Sequence, residues 1–159
     1  KVGLIATAAS VRSGQYERTI AAIDPTVEVI GAACPLFVPL VENGRYRVGD
    51  AVVEQIAEEY LAPLRKAGVD TLIMGCTHYP LLTEVVGKIM GEGVELINAG
   101  AEAAWELKRT LTATNTLATE REGAYKLYAS DITGDFATLA GQFLNDTVPA
   151  VEGVDIDQY

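Results

Sequence analysis

The sequence predicts an α/β fold in which a layered parallel sheet carries helices on both faces. Short apolar runs bounded by turn residues, such as residues 71–74, are typical of strands buried on both faces. Longer amphipathic stretches with apolar residues at helical spacing lie between these runs. Alternation of strands and helices favours parallel pairing, because each helix returns the chain to the end where the next strand begins.

The first half of the chain gives a regular succession of elements. Asp50 suits the N-cap of the longest helix, and Gly68 suits its left-handed C-cap. The Pro-punctuated stretch at 34–40 is assigned no helix or strand. The predicted elements are a strand at 1–6, a helix at about 13–23, a strand at 28–32, a helix at 50–66 and a strand at 71–74.

The second half continues this alternation and then changes character. Residues 112–116 form a polar, turn-prone connection, and the segments beyond it are less regular. We assign residues 1–98 to one α/β lobe and residues 99–159 to a C-terminal tail from a second lobe. Since the chain opens on a strand without an initiator Met, we expect it to be a fragment. The predicted elements are a helix at 80–90, a strand at 94–97, a helix at about 101–111, a strand at 124–129, a helix at about 135–144 and an extended piece near 148–151.

Composition and charge limit the functional classes. A chain of 159 residues with 49% hydrophobic residues can build a core, and a net charge of −10 argues against nucleic acid as a partner. No apolar run is long enough for a membrane span and no secretory signal is recognised, which favours a cytoplasmic protein. Two cysteines and one histidine exclude a disulfide framework and an ordinary zinc cluster, so no metal is expected.

The most informative segment is residues 71–82, where a buried strand ends in Gly-Cys and an amphipathic helix follows at once. Cys76 is therefore expected at the carboxyl end of the strand, facing a helix N-terminus. Backbone N–H groups at such a terminus favour a thiolate and a bound carboxylate. Thr7 and Asn98 follow two other predicted strands, and ligands bind at the carboxyl ends of parallel strands. The three residues are therefore expected to converge on one pocket.

Residues 75–82, Gly-Cys-Thr-His-Tyr-Pro-Leu-Leu, resemble an active-site motif of the glutamate racemases, which belong to the aspartate/glutamate racemase superfamily. Residues 3–11, 33–42 and 97–102 resemble the same family in the same order. The resemblance covers most of the chain and is strongest up to about residue 105. It implies a cytoplasmic, cofactor-independent enzyme that makes D-glutamate for bacterial peptidoglycan, and it allows a homodimer.

The resemblance also implies a two-base mechanism and the residues that take part. One cysteine thiolate removes the α-proton of glutamate, and a second cysteine thiol protonates the opposite face. Cys76 matches one of these, whereas the family's N-terminal Cys-Asn-Thr and Asp-Ser motifs do not occur here. Thr77 and His78 would contact the substrate, with His78 also assisting the cysteine. Thr7 and Ser10 would line the carboxylate pocket, although Ser10 replaces a commoner Thr. The isolated chain is expected to be inactive.

The chemistry of α-proton removal agrees with this assignment. It needs a base within hydrogen-bond reach and donors that stabilise the charge developing on the carboxylate. A thiolate beside an imidazole supplies the base, and hydroxyls and backbone N–H groups supply donors. Pyridoxal phosphate is the usual alternative, but the lysines fall on predicted surfaces or termini without an evident phosphate-binding turn. We expect no cofactor.

Several alternatives remain open. Cys76 could be a small buried hydrophobic residue, and Thr7 and Ser10 could cap the following helix. Cys34 lies before a proline in an apolar stretch without a nearby histidine, which predicts a structural role. The related functions are those of an aspartate racemase or a single-cysteine decarboxylase of the same superfamily. A non-catalytic ligand-binding domain is the alternative from another class.

Overall fold

The computed structural model describes residues 1–120, 126–132, 136–145, 148 and 150–158. These residues fall into two units, Lys1–Ala113 and Thr114–Tyr159. The assignment of residues 1–98 and 99–159 to two lobes of a larger enzyme stays a prediction. Across the described ranges, none of the helices combines the length and the apolar character that a membrane crossing requires.

The first unit alternates strands and helices, as the sequence predicts. Most predicted boundaries differ from the observed ones by one or two residues. The elements, in chain order, are β1 (Val2–Ala6), α1 (Ala8–Ser13), α2 (Gln15–Ile23), β2 (Val29–Ala33), α3 (Phe37–Glu42), α4 (Ala51–Ala67), β3 (Thr71–Met74), a 3₁₀ turn (Tyr79–Leu82), α5 (Thr83–Met90), β4 (Glu95–Asn98) and α6 (Ala99–Ala113).

The four strands form one parallel sheet in the order β2-β1-β3-β4. The two central strands are β1 and β3, so the segments that follow them leave the middle of the sheet. The register places Met74 of β3 beside Asn98 of β4. The segment after Met74 therefore starts next to the end of β4, which decides where the site lies.

Helices cover both faces of this sheet, which confirms the predicted fold class. On one face, a Cβ added to Gly3 would lie 3.5 Å from Leu64 of α4. On the other face, a Cβ added to Gly31 would lie 3.1 Å from Val11 of α1. The main core lies on the α4 face and includes side chains with no exposed surface from the sheet and from α3, α4 and α5. Burial on this scale is the dominant favourable term in the stability of such a unit.

The predicted helix at 13–23 is observed as α2, and a further helix, α1, precedes it. Gly14 separates α1 from α2 and adopts φ +61, a left-handed conformation that a glycine enters at little cost. Thr7 caps α1, since its hydroxyl accepts a hydrogen bond from the Ser10 amide at 3.3 Å. None of the six residues of α1 is buried, so the helix has no apolar stripe that the sequence could reveal.

A short helix, α3, occupies part of the stretch at 34–40 that was assigned no helix or strand, so that assignment is wrong. Pro39 is the third residue of α3, where its missing N–H has no helical acceptor to lose. Phe37 and Val41 are fully buried and fix the helix on the core. Tertiary packing therefore overrides the local signal of the prolines.

The longest helix, α4, begins and ends as predicted. The Asp50 carboxylate accepts a hydrogen bond from the Val52 amide at 3.0 Å, and Gly68 ends the helix at φ +73. Arg45 also pairs with Asp50 at 2.7 Å. The Arg45 guanidinium lowers the pKa of Asp50 to about 2, so the cap stays ionised over the physiological range.

The second unit contains the parallel pair of β5 (Leu127–Ala129) and β6 (Val151–Gly153), the helix α7 (Phe136–Leu144) and a 3₁₀ turn (Ile156–Gln158). The predicted helix at 135–144 is confirmed from residue 136 onward. Residues 124, 125, 135 and 149, which belong to three of the predicted elements, lie outside the described residues. The extended piece predicted near 148–151 is observed as a strand that starts at Val151.

Candidate active site

Cys76 lies just beyond the carboxyl end of β3, as the sequence predicts. The Gly75 amide donates to the Ile5 carbonyl at 2.8 Å, which carries the β1–β3 pairing one residue past the strand. A Cβ at Gly75 would lie 2.9 Å from Leu4 Cδ1 and 3.2 Å from the Ile5 carbonyl oxygen. Glycine is therefore needed for this close approach, and Cys76 is the first residue free of the sheet.

The segment after Cys76 differs from the predicted helix at 80–90. It opens with a 3₁₀ turn over Tyr79–Leu82, and α5 begins only at Thr83. The Tyr79 amide donates to the Cys76 carbonyl at 3.2 Å. The expectation that an α-helix N-terminus directly faces Cys76 is therefore wrong.

The imidazole of His78 connects the Cys76 thiol to a carboxylate. His78 Nδ1 lies 3.9 Å from Cys76 Sγ and 3.3 Å from Thr77 Oγ1. His78 Nε2 lies 3.1 Å from Glu42 Oε1. A neutral histidine that donates from Nε2 to a carboxylate keeps Nδ1 as an acceptor. The arrangement can therefore take the proton of the thiol at Nδ1.

Glu42 is the residue of this group that sequence reasoning did not single out. It is the last residue of α3, 36 positions before His78 in the chain. The side chains of His78 and Glu42 are 22% and 45% exposed, so water partly screens their interaction. The docking of α3 on the core brings the carboxylate to the imidazole. No local pattern around residue 42 indicates this contact.

Tyr79 fixes the turn that carries the histidine. Its ring is fully buried and meets the ring of Phe37 edge to face, with centroids 5.3 Å apart. Its hydroxyl donates to the Cys34 carbonyl at 3.1 Å. Burial raises the pKa of the Tyr79 phenol, so it remains a donor at neutral pH. Tyr79 therefore anchors the site residues to α3 and to the end of β2.

Cys34 is a core residue, as predicted. Its side chain has no exposed surface, and burial raises the pKa of its thiol to about 12. Its sulfur lies 3.6 Å from the Ala32 carbonyl oxygen. A thiol in this environment stays protonated, so Cys34 does not suit the role of a base.

Thr7 and Ser10 lie at the carboxyl end of β1, beside β3. Their hydroxyl oxygens are 3.0 Å apart, and the Thr7 hydroxyl caps α1. The capping alternative is therefore observed for Thr7, whereas the Ser10 hydroxyl contacts the Thr7 hydroxyl. Their predicted contact with a substrate carboxylate stays a prediction.

A cavity of about 260 Å³ opens at the carboxyl ends of β3 and β4 and includes Cys76. The expected convergence is confirmed for Cys76 and Asn98, but Thr7 is outside the lining. The Asn98 carboxamide oxygen accepts from the amides of Gly100 and Ala101 at 3.0 and 3.2 Å, at the start of α6. The residues that line the cavity are Tyr16, Met74, Gly75, Cys76, Thr77, Pro80, Asn98, Ala99 and Gly100.

Among the described residues, no group of three or more His, Cys, Asp or Glu side chains is arranged to hold a metal ion. The reactive groups that the structure brings together at this site are the thiol, the imidazole and the carboxylate. Together they can generate a thiolate and hold the released proton nearby.

No protein-family model matches the chain, but individual proteins of known sequence and structure do. A glutamate racemase of Geobacter metallireducens is 39% identical over 158 residues, which are 99% of this chain and 58% of the relative. One from Corynebacterium diphtheriae is 43% identical over 155 residues, which are 96% of this chain and 57% of the relative. The crystal structure of glutamate racemase from Francisella tularensis in complex with D-glutamate matches with a TM-score of 0.89 at 34% identity.

That match covers 99% of this chain and 59% of the Francisella chain. The chain thus spans less than two thirds of the length of these racemases. The similarity extends over both the sequence and the parallel sheet that positions Cys76. The chain is therefore a homologue of glutamate racemases that spans about 58% of such an enzyme.

Proposed function

We propose that this chain supplies one of the two catalytic thiols of a cofactor-independent glutamate racemase. The observation that carries the proposal is the linked group of Cys76, His78 and Glu42 beside a cavity at the end of the sheet. Similarity to glutamate racemases along nearly the whole chain supports the choice of reaction.

In this proposal, Cys76 is the base on one face of the amino acid. His78 Nδ1 accepts the thiol proton, and Glu42 stabilises the resulting imidazolium through Nε2. The thiolate removes the α-proton of glutamate, becoming a thiol again and leaving a carbanion delocalised into the α-carboxylate. A second thiol on the opposite face donates its proton to the α-carbon, which inverts the configuration. That second thiol would belong to the portion of the relatives that this chain does not span.

The hydroxyl of Thr77 and nearby backbone N–H groups are the proposed donors to the developing negative charge. Thr77 lines the cavity beside Cys76 and lies within 3.3 Å of the imidazole. Thr7 and Ser10 are proposed to assist at the substrate carboxylate from the neighbouring strand end. The proposed setting is the cytoplasm, where thiols stay reduced and D-glutamate enters peptidoglycan synthesis. A homodimer stays a prediction.

Deuterium exchange at the α-carbon tests the proposal directly. L-glutamate and D-glutamate are incubated separately in heavy water with this chain, with Cys76→Ser and with Cys34→Ala, and the α-proton signal is followed by NMR. We expect one enantiomer to exchange with the wild-type chain and with Cys34→Ala, but not with Cys76→Ser. Since a single base removes the proton of one enantiomer only, exchange without full racemisation is the result expected for half of the site.

The same assay separates the related functions. Aspartate and a malonate-type acid are added in parallel with glutamate under identical conditions. Faster exchange of aspartate than of glutamate, or loss of CO₂ from the malonate-type acid, would identify that acid as the substrate in place of glutamate. The assignment of Cys76 as the base would be unaffected. If no acid exchanges its α-proton, either with this chain alone or after addition of the remaining part of the enzyme, the proposal is refuted. A non-catalytic ligand-binding domain would then be the better interpretation.

A further inference from the structure

The cavity beside Cys76 contains a phenol that the proposed reaction does not use. Tyr16 reaches the cavity from α2, and its hydroxyl oxygen lies 3.2 Å from the position that a Cβ on Gly75 would occupy. Among the described residues, the Tyr16 hydroxyl has no hydrogen-bond partner within 3.5 Å. A hydroxyl lining a cavity next to the reactive residue is available for a ligand.

Besides Tyr16 and Thr77, Asn98 is a further polar side chain that lines the cavity, and its orientation is fixed. Two backbone amides, of Gly100 and Ala101, donate to its carboxamide oxygen. Only the oxygen can accept these bonds, so the hydrogen-bond network assigns the NH₂ group to the remaining position. Asn98 can therefore offer a ligand its donor and not its acceptor.

The lining of the cavity is also free of negative charge. None of its side chains is acidic, although the chain as a whole carries a net charge of −10. A volume of about 260 Å³ far exceeds the roughly 30 Å³ that one water occupies in the liquid. The cavity thus offers two donors in addition to Thr77, contains no acidic side chain in its lining and has room for a small molecule.

We infer that the Tyr16 hydroxyl and the Asn98 amide together hold a carboxylate of the amino acid whose α-carbon faces Cys76. A carboxylate accepts at both oxygens, and its hydrogen bonds to neutral donors are stronger than those of uncharged acceptors. This inference rests on the proposed function, because it takes the substrate class from it. It adds Tyr16 and Asn98 as the residues that bind and position that substrate.

Protection of Cys76 from alkylation measures this binding without requiring turnover. The rate of modification of Cys76 by iodoacetamide is followed by peptide mass spectrometry at increasing D-glutamate and, separately, L-glutamate. Three variants are compared with the wild-type chain: Tyr16→Phe, Asn98→Asp and, as a matched control, Tyr60→Phe. Tyr60 lies on α4, packs its ring against Phe37 and does not line the cavity.

Each variant removes a defined contact. Tyr16→Phe keeps the ring and removes the hydroxyl donor. Asn98→Asp keeps an oxygen to cap α6 but replaces the NH₂ donor with a negative charge. We expect the glutamate concentration for half-protection to rise about tenfold in Tyr16→Phe and further in Asn98→Asp, and to stay unchanged in Tyr60→Phe. Thermal unfolding of each variant verifies that the chain remains folded.

The outcomes separate this inference from the proposed function. If glutamate protects Cys76 in Tyr16→Phe and Asn98→Asp as well as it does in the wild-type chain, the inference is overturned. This holds even if Cys76-dependent exchange of the α-proton is observed. Protection that is lost in these variants would support the binding site, and absence of α-proton exchange even after addition of the remaining part of the enzyme would at the same time overturn the proposed reaction. If glutamate fails to protect the wild-type chain at any concentration, a glutamate site at this cavity is refuted as well.

Discussion

The anchoring role of Tyr79 gives a prediction whose magnitude follows from the structure. Tyr79→Phe removes one hydrogen bond, from the phenol to the Cys34 carbonyl, and keeps the buried ring against Phe37. The Cys34 carbonyl still accepts from the Phe37 amide at 3.2 Å, so it is not left without a partner. The expected loss is therefore that of an ordinary hydrogen bond, about 1 kcal/mol of the free energy of unfolding.

Removing the ring is expected to cost considerably more. Tyr79→Ala deletes a fully buried aromatic side chain and leaves a cavity, which typically costs about 3–5 kcal/mol. Urea unfolding of Tyr79→Phe, Tyr79→Ala and the control Tyr60→Phe gives the three differences. Equal stability of Tyr79→Phe and the wild-type chain would refute the claim that this hydrogen bond fixes the turn. If Tyr79→Phe loses as much free energy of unfolding as Tyr79→Ala, the claim that packing of the ring contributes more than the hydrogen bond is refuted.

Three further predictions concern the site and its support. Glu42→Gln is expected to slow alkylation of Cys76 up to about fivefold, because the half-exposed pair of His78 and Glu42 contributes at most about 1 kcal/mol. An unchanged rate would contradict the connection from Glu42 to Cys76 through the histidine. Burial raises the pKa of the Cys34 thiol from 9.0 to about 12 and so keeps it protonated in the folded chain. The free energy of unfolding should therefore fall as pH rises above 9, by about 1.4 kcal/mol at pH 10. Urea titrations should show a smaller fall in Cys34→Ala. Gly75→Ala should destabilise the chain by about 1–3 kcal/mol in the same assay, since its Cβ would press on the Ile5 carbonyl; wild-type stability would show that the backbone yields freely.

The parts of the fold that the sequence predicted are those with a strong local cause. Each strand of the sheet is an apolar run closed by turn residues, and all four lie within one residue of the predicted positions. The long helix α4 has an Asp50 cap, a regular apolar stripe and Gly68 at its end, and each of these signals lies within the helix or next to it. The parallel direction of the strands was predicted from the alternation alone, whereas their order in the sheet was not.

The features that could not be predicted depend on residues far apart in the chain. The prolines around α3 favour a loop locally, and only the burial of Phe37 and Val41 in the core stabilises a helix there. The same applies to the 3₁₀ turn after Cys76, which Tyr79 holds through a contact with Cys34. Local propensity is a weak prior, and tertiary packing overrides it in both places.

This dependence on distant residues has a consequence for the chemistry. Cys76 and His78 are two positions apart and could be proposed from the sequence, but Glu42 reaches the histidine only because α3 is helical and docked. The motif at 75–82 suggests that the turn alone provides the surroundings of the thiol, but a residue of α3 contributes to them as well. His78, the proposed proton acceptor of Cys76, lies within hydrogen-bond distance of a carboxylate on α3. The hydrogen bond from Tyr79 to the Cys34 carbonyl connects the turn to the segment that precedes α3. The reactivity of Cys76 and the packing of α3 should thus change together, since a substitution that loosens the helix also moves the carboxylate away from the imidazole.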